Sequence, residues 1–62
     1  MAQYTINYLT GDEQTVRAVT VNMNSDGSEY RFPDRNGRIV AYVPARNVLS
    51  IILTEEPKAV TG

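Results

Sequence analysis

The chain contains no cysteine, no histidine and no tryptophan among its 62 residues. Without cysteine it has no disulfide or thiolate cluster. Without histidine it lacks the commonest zinc ligand and the usual base at neutral pH. Domains of this size bury only about 60% of their unfolded surface and commonly need a disulfide, a metal or oligomerisation. We therefore expect a homo-oligomer, and we predict no metal site and no cofactor.

Side chains that could carry out catalysis are few, and no motif positions them. A nucleophile needs a neighbouring base, and the serines, the threonines and Lys58 have none in a recognisable pattern. Paired carboxylates must converge across a cleft, whereas Asp12 and Glu13, like Glu55 and Glu56, are adjacent in predicted loops. We predict no catalytic residues and a protein that is not an enzyme.

Long apolar runs and strong net charge are absent too. No segment approaches the roughly 20 apolar residues that a membrane span requires. The first residues lack the basic and apolar regions of a signal peptide, so we expect a cytoplasmic protein with no membrane contact. Six Lys and Arg residues against seven Asp and Glu residues give a net charge of -1. That balance argues against a dedicated polyanion binder.

Glycine turns alternate with short segments rich in Val, Ile, Thr and Tyr, which favour strands. No segment keeps a 3.6-residue apolar period for three turns, so no long helix is expected. We predict a single domain over residues 1–54 and a flexible C-terminal tail over residues 55–62. The five predicted strands are Gln3–Leu9, Gln14–Met23, Glu29–Phe32, Arg38–Val43 and Val48–Thr54.

The apolar pattern also predicts which residues form the core. Tyr4, Ile6 and Tyr8 share one face of the first strand. In the second strand the apolar residues change face near Val19, which predicts a bulge or a strong bend. The third and fourth strands have the same faces for either register of the turn at Gly37. Their predicted core residues are Tyr30, Phe32, Ile39, Ala41 and Val43.

The segment from Gly37 to Ile51 predicts a strand, a 3₁₀ turn at residues 44–47 and a closing strand. Pro44 ends the fourth strand because it has a fixed φ and no amide hydrogen. This order resembles the end of SH3-like barrels. The resemblance implies an all-β fold, namely a small five-stranded SH3-like barrel with a 3₁₀ turn before the last strand. The chain lacks the tryptophan and the acidic, aromatic opening of true SH3 domains, so the resemblance does not imply polyproline binding.

A second resemblance covers the whole chain. The chain is similar to small uncharacterised β-proteins of actinobacteria and their phages. This similarity implies that the chain is an accessory protein that binds a host protein. The motifs that carry it are Thr15-Val16-x-Ala18, Tyr30-x-Phe32 and Val43-Pro44-Ala45-x-x-Val48.

The last predicted strand is apolar on both faces, although a strand with one solvated face should alternate. Leu49, Ile51 and Leu53 occupy one face, and Val48 and Ile52 add apolar surface to the other. Two explanations remain open at this point. Either barrel closure buries both faces, or they form an exposed patch that meets a partner.

The outward face of the fourth strand has the same apolar character. We expect a non-catalytic module that acts through protein–protein contacts or self-association. Tyrosine and arginine are residue types enriched at interface hot spots, and this surface has both. The predicted partner-binding residues are Arg31, Val40, Tyr42, Arg46, Val48 and Ile52.

The alternative is a nucleic-acid-binding barrel. Arg31, Arg35, Arg38 and Arg46 concentrate in one third of the chain, with only Asp34 against them. Arginine beside aromatic rings can bind single strands through charge and stacking. The overall charge argues against this alternative without removing it.

The loop that starts at Asn22 partly matches a calcium-binding loop, with Asn24, Asp26 and Gly27 in the corresponding places. Such loops need a bidentate glutamate at position 12, where this chain has Pro33. We predict an ordinary polar hairpin loop.

Overall fold

The computed structural model describes residues 1–55. These residues form six strands and one short 3₁₀ helix, and no α-helix occurs among them. The elements are β1 (Ala2–Tyr8), β2 (Glu13–Ala18), β3 (Asn22–Met23), β4 (Glu29–Pro33), β5 (Ile39–Pro44), the 3₁₀ helix (Ala45–Asn47) and β6 (Val48–Glu55). The all-β prediction is confirmed, and a 3₁₀ helix does precede the last strand. No helix in this part of the chain could cross a membrane.

The strands form two antiparallel sheets of three strands each. The first sheet has the order β2-β1-β6 and the second has the order β3-β4-β5. The Val19 amide donates a hydrogen bond of 2.8 Å to the Pro33 carbonyl, which ties the end of β2 to β4. No ladder joins the two sheets within residues 1–55. The prediction of a five-stranded closed barrel therefore needs correction in both strand number and closure.

The sixth strand arises from the bend that the sequence predicts near Val19. The single predicted strand Gln14–Met23 is divided into β2, in the first sheet, and β3, in the second. Val16 and Ala18 are buried, whereas Val19 is exposed. A chain that leaves one sheet for the other loses its ladder partners at the bend, because strand pairing requires a continuous register.

The core lies between the two sheets and centres on Phe32 of β4 and Ile6 of β1, both fully buried. The Phe32 ring meets the Tyr4 ring edge-on, with the ring centroids 5.8 Å apart. This geometry suits the opposite charges of an aromatic edge and face. It confirms the predicted core faces of the first and third strands. The buried residues are Ala2, Tyr4, Ile6, Val16, Ala18, Phe32 and Val43.

A register shift changes the predicted face of Ile39. The pairing of β4 with β5 is regular as far as Phe32 opposite Ala41 and then shifts, so that Pro33 lies opposite Ile39. Ala41 and Val43 contact the core as predicted, but Ile39 is not among the side chains packed against it. The alternation argument fails there because one extra residue, Val40, interrupts the pleat.

A second register shift turns Val48 inward. Asn7 pairs with Ser50 and Tyr8 pairs with Val48, so Leu49 has no partner in β1. As a result Val48 packs against the core together with Ile51, contrary to the prediction that it shares a face with Ile52. β6 also includes Glu55, which the sequence assigned to the tail. The rest of that predicted tail lies outside the described residues.

The loop between β3 and β4 is a hairpin turn held by its own polar side chains. Asn24 Oδ1 accepts the Glu29 amide at 2.9 Å, and Asp26 Oδ1 accepts the Ser28 amide at 3.0 Å. These oxygens stand where a calcium loop would place ligands, and here they satisfy backbone donors of the turn. Hydrogen bonds from the Ser28 side chain and then its backbone lower the pKa of Asp26, because they stabilise the ionised carboxylate.

The first prediction concerns the core. Phe32→Ala should lower the free energy of unfolding by about 3–5 kcal/mol, since it leaves a cavity between the sheets. Small domains have a total stability near the lower end of about 5–15 kcal/mol, so this variant should be largely unfolded. Tyr42→Ala, an exposed aromatic truncation, should cost less than about 1 kcal/mol. Urea denaturation followed by circular dichroism measures both, and equal losses would refute the assigned core.

The second prediction concerns Asp26. A carbon-detected NMR titration should place its midpoint below the ordinary pKa of 3.8. Because the folded pKa is lowered, the carboxylate stabilises the fold above the unfolded pKa, and that stabilisation disappears as the pH falls through the folded pKa. Ser28→Ala should move the midpoint upward, and Ser25→Ala in the same loop should leave it unchanged. A wild-type midpoint at or above 3.8 contradicts the described turn.

Candidate functional site

An exposed aromatic ring and a guanidinium group occupy the outer surface of the second sheet. Tyr42 of β5 lies opposite Arg31 of β4, and its side chain is 59% exposed. The Arg31 guanidinium carbon is 5.9 Å from the centre of the Tyr42 ring, within the range of a cation–π contact. Arg31 Nε also donates to Glu29 Oε1 at 3.1 Å. We call Arg31, Val40 and Tyr42 the β4–β5 patch.

Two local features hold this patch in place. Antiparallel pairing sets Arg31 directly opposite Tyr42 and brings their side chains to the same face. Glu29 precedes Arg31 by two residues on that strand and restrains its guanidinium through the ion pair. Val40 occupies the register shift of β5 and is 51% exposed. The patch therefore presents a cation, a ring and an aliphatic side chain on neighbouring strands of one sheet.

The outer surface of the first sheet carries a separate apolar residue. Ile52 of β6 lies opposite Thr5 of β1 and is 50% exposed. Asn7 Nδ2 donates to Ser50 Oγ at 3.0 Å beside it. Ile52 thus belongs to a different sheet from the β4–β5 patch, although β6 is the next strand after β5 in the chain.

Arg46 lies in a third place, on the 3₁₀ helix, where it is exposed. It borders a depression of about 390 Å³ together with Gly27, Ser28 and Pro44. The Ala45 amide donates to the Ser28 carbonyl at 2.9 Å and ties the helix to the β3–β4 hairpin. Within residues 1–55 no buried charged group faces this depression, so its geometry does not define a ligand.

The structure thus divides the six predicted partner-binding residues. Arg31 and Tyr42 come together in the β4–β5 patch, and Val40 is exposed two residues before Tyr42 on β5. Ile52 lies on the other sheet and Arg46 on the 3₁₀ helix. Val48 packs inward against the core, so it is left out of the candidate surface.

The arginine cluster of the nucleic-acid alternative is also divided. Arg35 and Arg38 lie at the turn between β4 and β5, and Arg46 follows β5 at its other end. A strand of six residues spans roughly 20 Å, so these cations do not meet in one place. Arg31, between the two ends, is paired with Glu29.

Sequence reasoning missed the exposure of Leu49, which at 69% is the highest of any large apolar residue in the part of the chain that the structure describes. Strict alternation placed Leu49 on the same face as Ile51, but the register shift at this residue removes it from the ladder. Leu53 faces the core side opposite Tyr4, yet it is 46% exposed because β6 is an edge strand. The apolar run in β6 was the available sign of an exposed apolar surface. The run does not predict where the register shift falls.

Comparisons with known proteins bear on the fold alone. No protein-family model matches the chain, and no curated protein matches it. The chain is similar to an X-ray structure of a target of the Northeast Structural Genomics Consortium, with a TM-score of 0.65 and 21% sequence identity. The match covers 94% of this chain and 100% of that one. The two proteins share a fold over nearly their whole length.

Proposed function

We propose that this protein is a small non-catalytic binding module that acts through protein–protein contacts of the β4–β5 patch. The observation that carries the proposal is the exposed Tyr42 ring with the Arg31 guanidinium over it, 5.9 Å from the ring centre. Tyrosine and arginine dominate interface hot spots because each combines a large contact area with a polar group. Here the Arg31 guanidinium lies over the Tyr42 ring, so the two side chains form one contact surface.

The chemistry of the patch supports one class of partner. The patch has an aliphatic side chain, an aromatic ring and one cation that Glu29 partly neutralises. Such a surface suits a protein with an apolar contact area and an acidic or carbonyl-rich rim, since Arg31 can donate to oxygens at the edge. The resemblance to phage and actinobacterial β-proteins makes a host protein the proposed partner of an accessory protein. The cytoplasmic location stays a prediction.

We also propose an SH3-like arrangement for the fold, in an open form. A bent second segment serves both sheets, the first and last strands pair, and a 3₁₀ helix precedes the last strand. These features support the proposed kinship with SH3-like barrels. The nucleic-acid alternative has no such support, because its arginines lie apart, on β4, at the turn between β4 and β5, and on the 3₁₀ helix.

Affinity capture tests the function. The wild-type protein, Tyr42→Ala and the matched control Leu49→Ala are immobilised, and proteins retained from the native lysate are identified by mass spectrometry. Loss of the Tyr42 ring should weaken capture of the partner by about 30-fold, as for a hot spot of about 2 kcal/mol. Leu49→Ala removes a comparably exposed side chain outside the patch and should capture normally.

Two results contradict the proposal. One is a wild-type protein that retains nothing, or retains partners that Tyr42→Ala retains equally. The other is binding to a single-stranded oligonucleotide that weakens steeply with salt, which would favour the nucleic-acid alternative.

A further inference from the structure

Each sheet leaves two edge strands, and natural proteins protect such edges with charges, short strands, bulges or proline. β2 carries Glu13 and Arg17, and β3 has only two residues. β5 has a register shift within it and ends at Pro44. β6 differs because residues 50–53 form a regular, uncharged stretch between its two register shifts. This stretch is the least protected edge within residues 1–55.

The hydrogen bonds of the first hairpin show which way the backbone of β1 points. The Tyr8 amide donates to the Asp12 carbonyl, and the Tyr8 carbonyl accepts from the Gly11 amide, both at 2.9 Å. Tyr8 therefore faces β2. Successive residues of an antiparallel strand point to opposite sides, so Asn7 and Thr5 face β6.

The same alternation identifies the free backbone groups of β6. Ser50 and Ile52 lie opposite the two β1 residues that face this strand, so their amides and carbonyls pair with β1. Ile51 and Leu53 then point their amides and carbonyls toward the open edge. The edge thus offers two donors and two acceptors, arranged symmetrically about Ile52.

We propose that the chain forms a two-fold dimer in which β6 pairs antiparallel with β6 of a second copy, centred on Ile52. In this register Ile51 lies opposite the partner's Leu53, and Leu53 lies opposite the partner's Ile51. Four backbone hydrogen bonds form, and they use every free donor and acceptor of the stretch. A two-fold axis requires such a self-complementary surface, which is why a second copy is the occupant.

The same register covers the apolar side chains of β6. Ile52 lies opposite the partner's Ile52 at a non-hydrogen-bonded position, where side chains approach most closely. On the core side, Leu53 is 46% exposed in the single chain. In the dimer it contacts the partner's Ile51, and the two pairs extend the core across the axis.

Charge also favours this alignment. Glu55 lies opposite the partner's Leu49 and is held in its own sheet by Arg17, 3.9 Å away. The two copies of Glu55 lie at opposite ends of the interface, roughly 20 Å apart. The two-fold axis therefore keeps like charges apart, whereas a parallel alignment of the same strands would bring the two copies of Glu55 together.

The dimer goes beyond the proposed function, since it uses the edge of β6 and not the β4–β5 patch. Sedimentation velocity over a range of concentrations tests it with two matched variants. Ile52→Lys places two cations beside the axis and should weaken the dimer roughly tenfold or more. Val40→Lys makes the same change at an equally exposed residue of the β4–β5 patch and should dimerise like the wild type.

Hydrogen exchange of the wild-type protein tests the register without any substitution. The amides of Ile51 and Leu53 should exchange slowly at high concentration and quickly at low concentration, while those of Ser50 and Ile52 stay slow at both. A wild-type monomer at high concentration, or a dimer in which the Ile51 and Leu53 amides exchange freely, overturns the proposal. Either result leaves capture by the β4–β5 patch untouched, so the two proposals fail separately.

Discussion

The packing of Phe32 against Tyr4 and Ile6 is the contact on which the two sheets depend. Phe32 comes from β4 and the other two from β1, and the three are buried together with four smaller side chains. A domain this small has room for one such cluster, because its surface is large relative to its volume. The inner faces of β1 and β4 fill that cluster, so other apolar residues remain outside it.

The surplus apolar surface is therefore a consequence of size and topology together. β5 and β6 are edge strands, and no ladder joins them within the described residues. Tyr42 and Ile52 lie on the outer faces of the two sheets, and both stay about half exposed or more. The barrel closure that the sequence left open as one explanation is absent within residues 1–55, and burial by a partner stays a proposal. The exposed β4–β5 patch lies on one sheet, and the edge strand β6 belongs to the other.

Sequence patterns predicted the all-β class, the 3₁₀ helix and most of the core, because alternation and proline act locally. They failed where a single residue interrupts a ladder. Val48 was assigned to the wrong face because the register shift at Leu49 depends on how β1 and β6 meet, which is a tertiary property. The pairing of Arg31 with Tyr42 could have been predicted, since both were assigned to one face of neighbouring strands. The open edge of β6 could not have been predicted from the sequence.

The central claim is that this small core leaves apolar strand surface exposed within residues 1–55, and that a second copy of the chain covers part of it. Its most direct test is the urea midpoint of unfolding, measured over about a hundredfold range of protein concentration. Self-association of the native state makes that midpoint rise with concentration, because binding partners stabilise the folded form by mass action. A midpoint that stays constant across the range would show that the isolated chain needs no such cover.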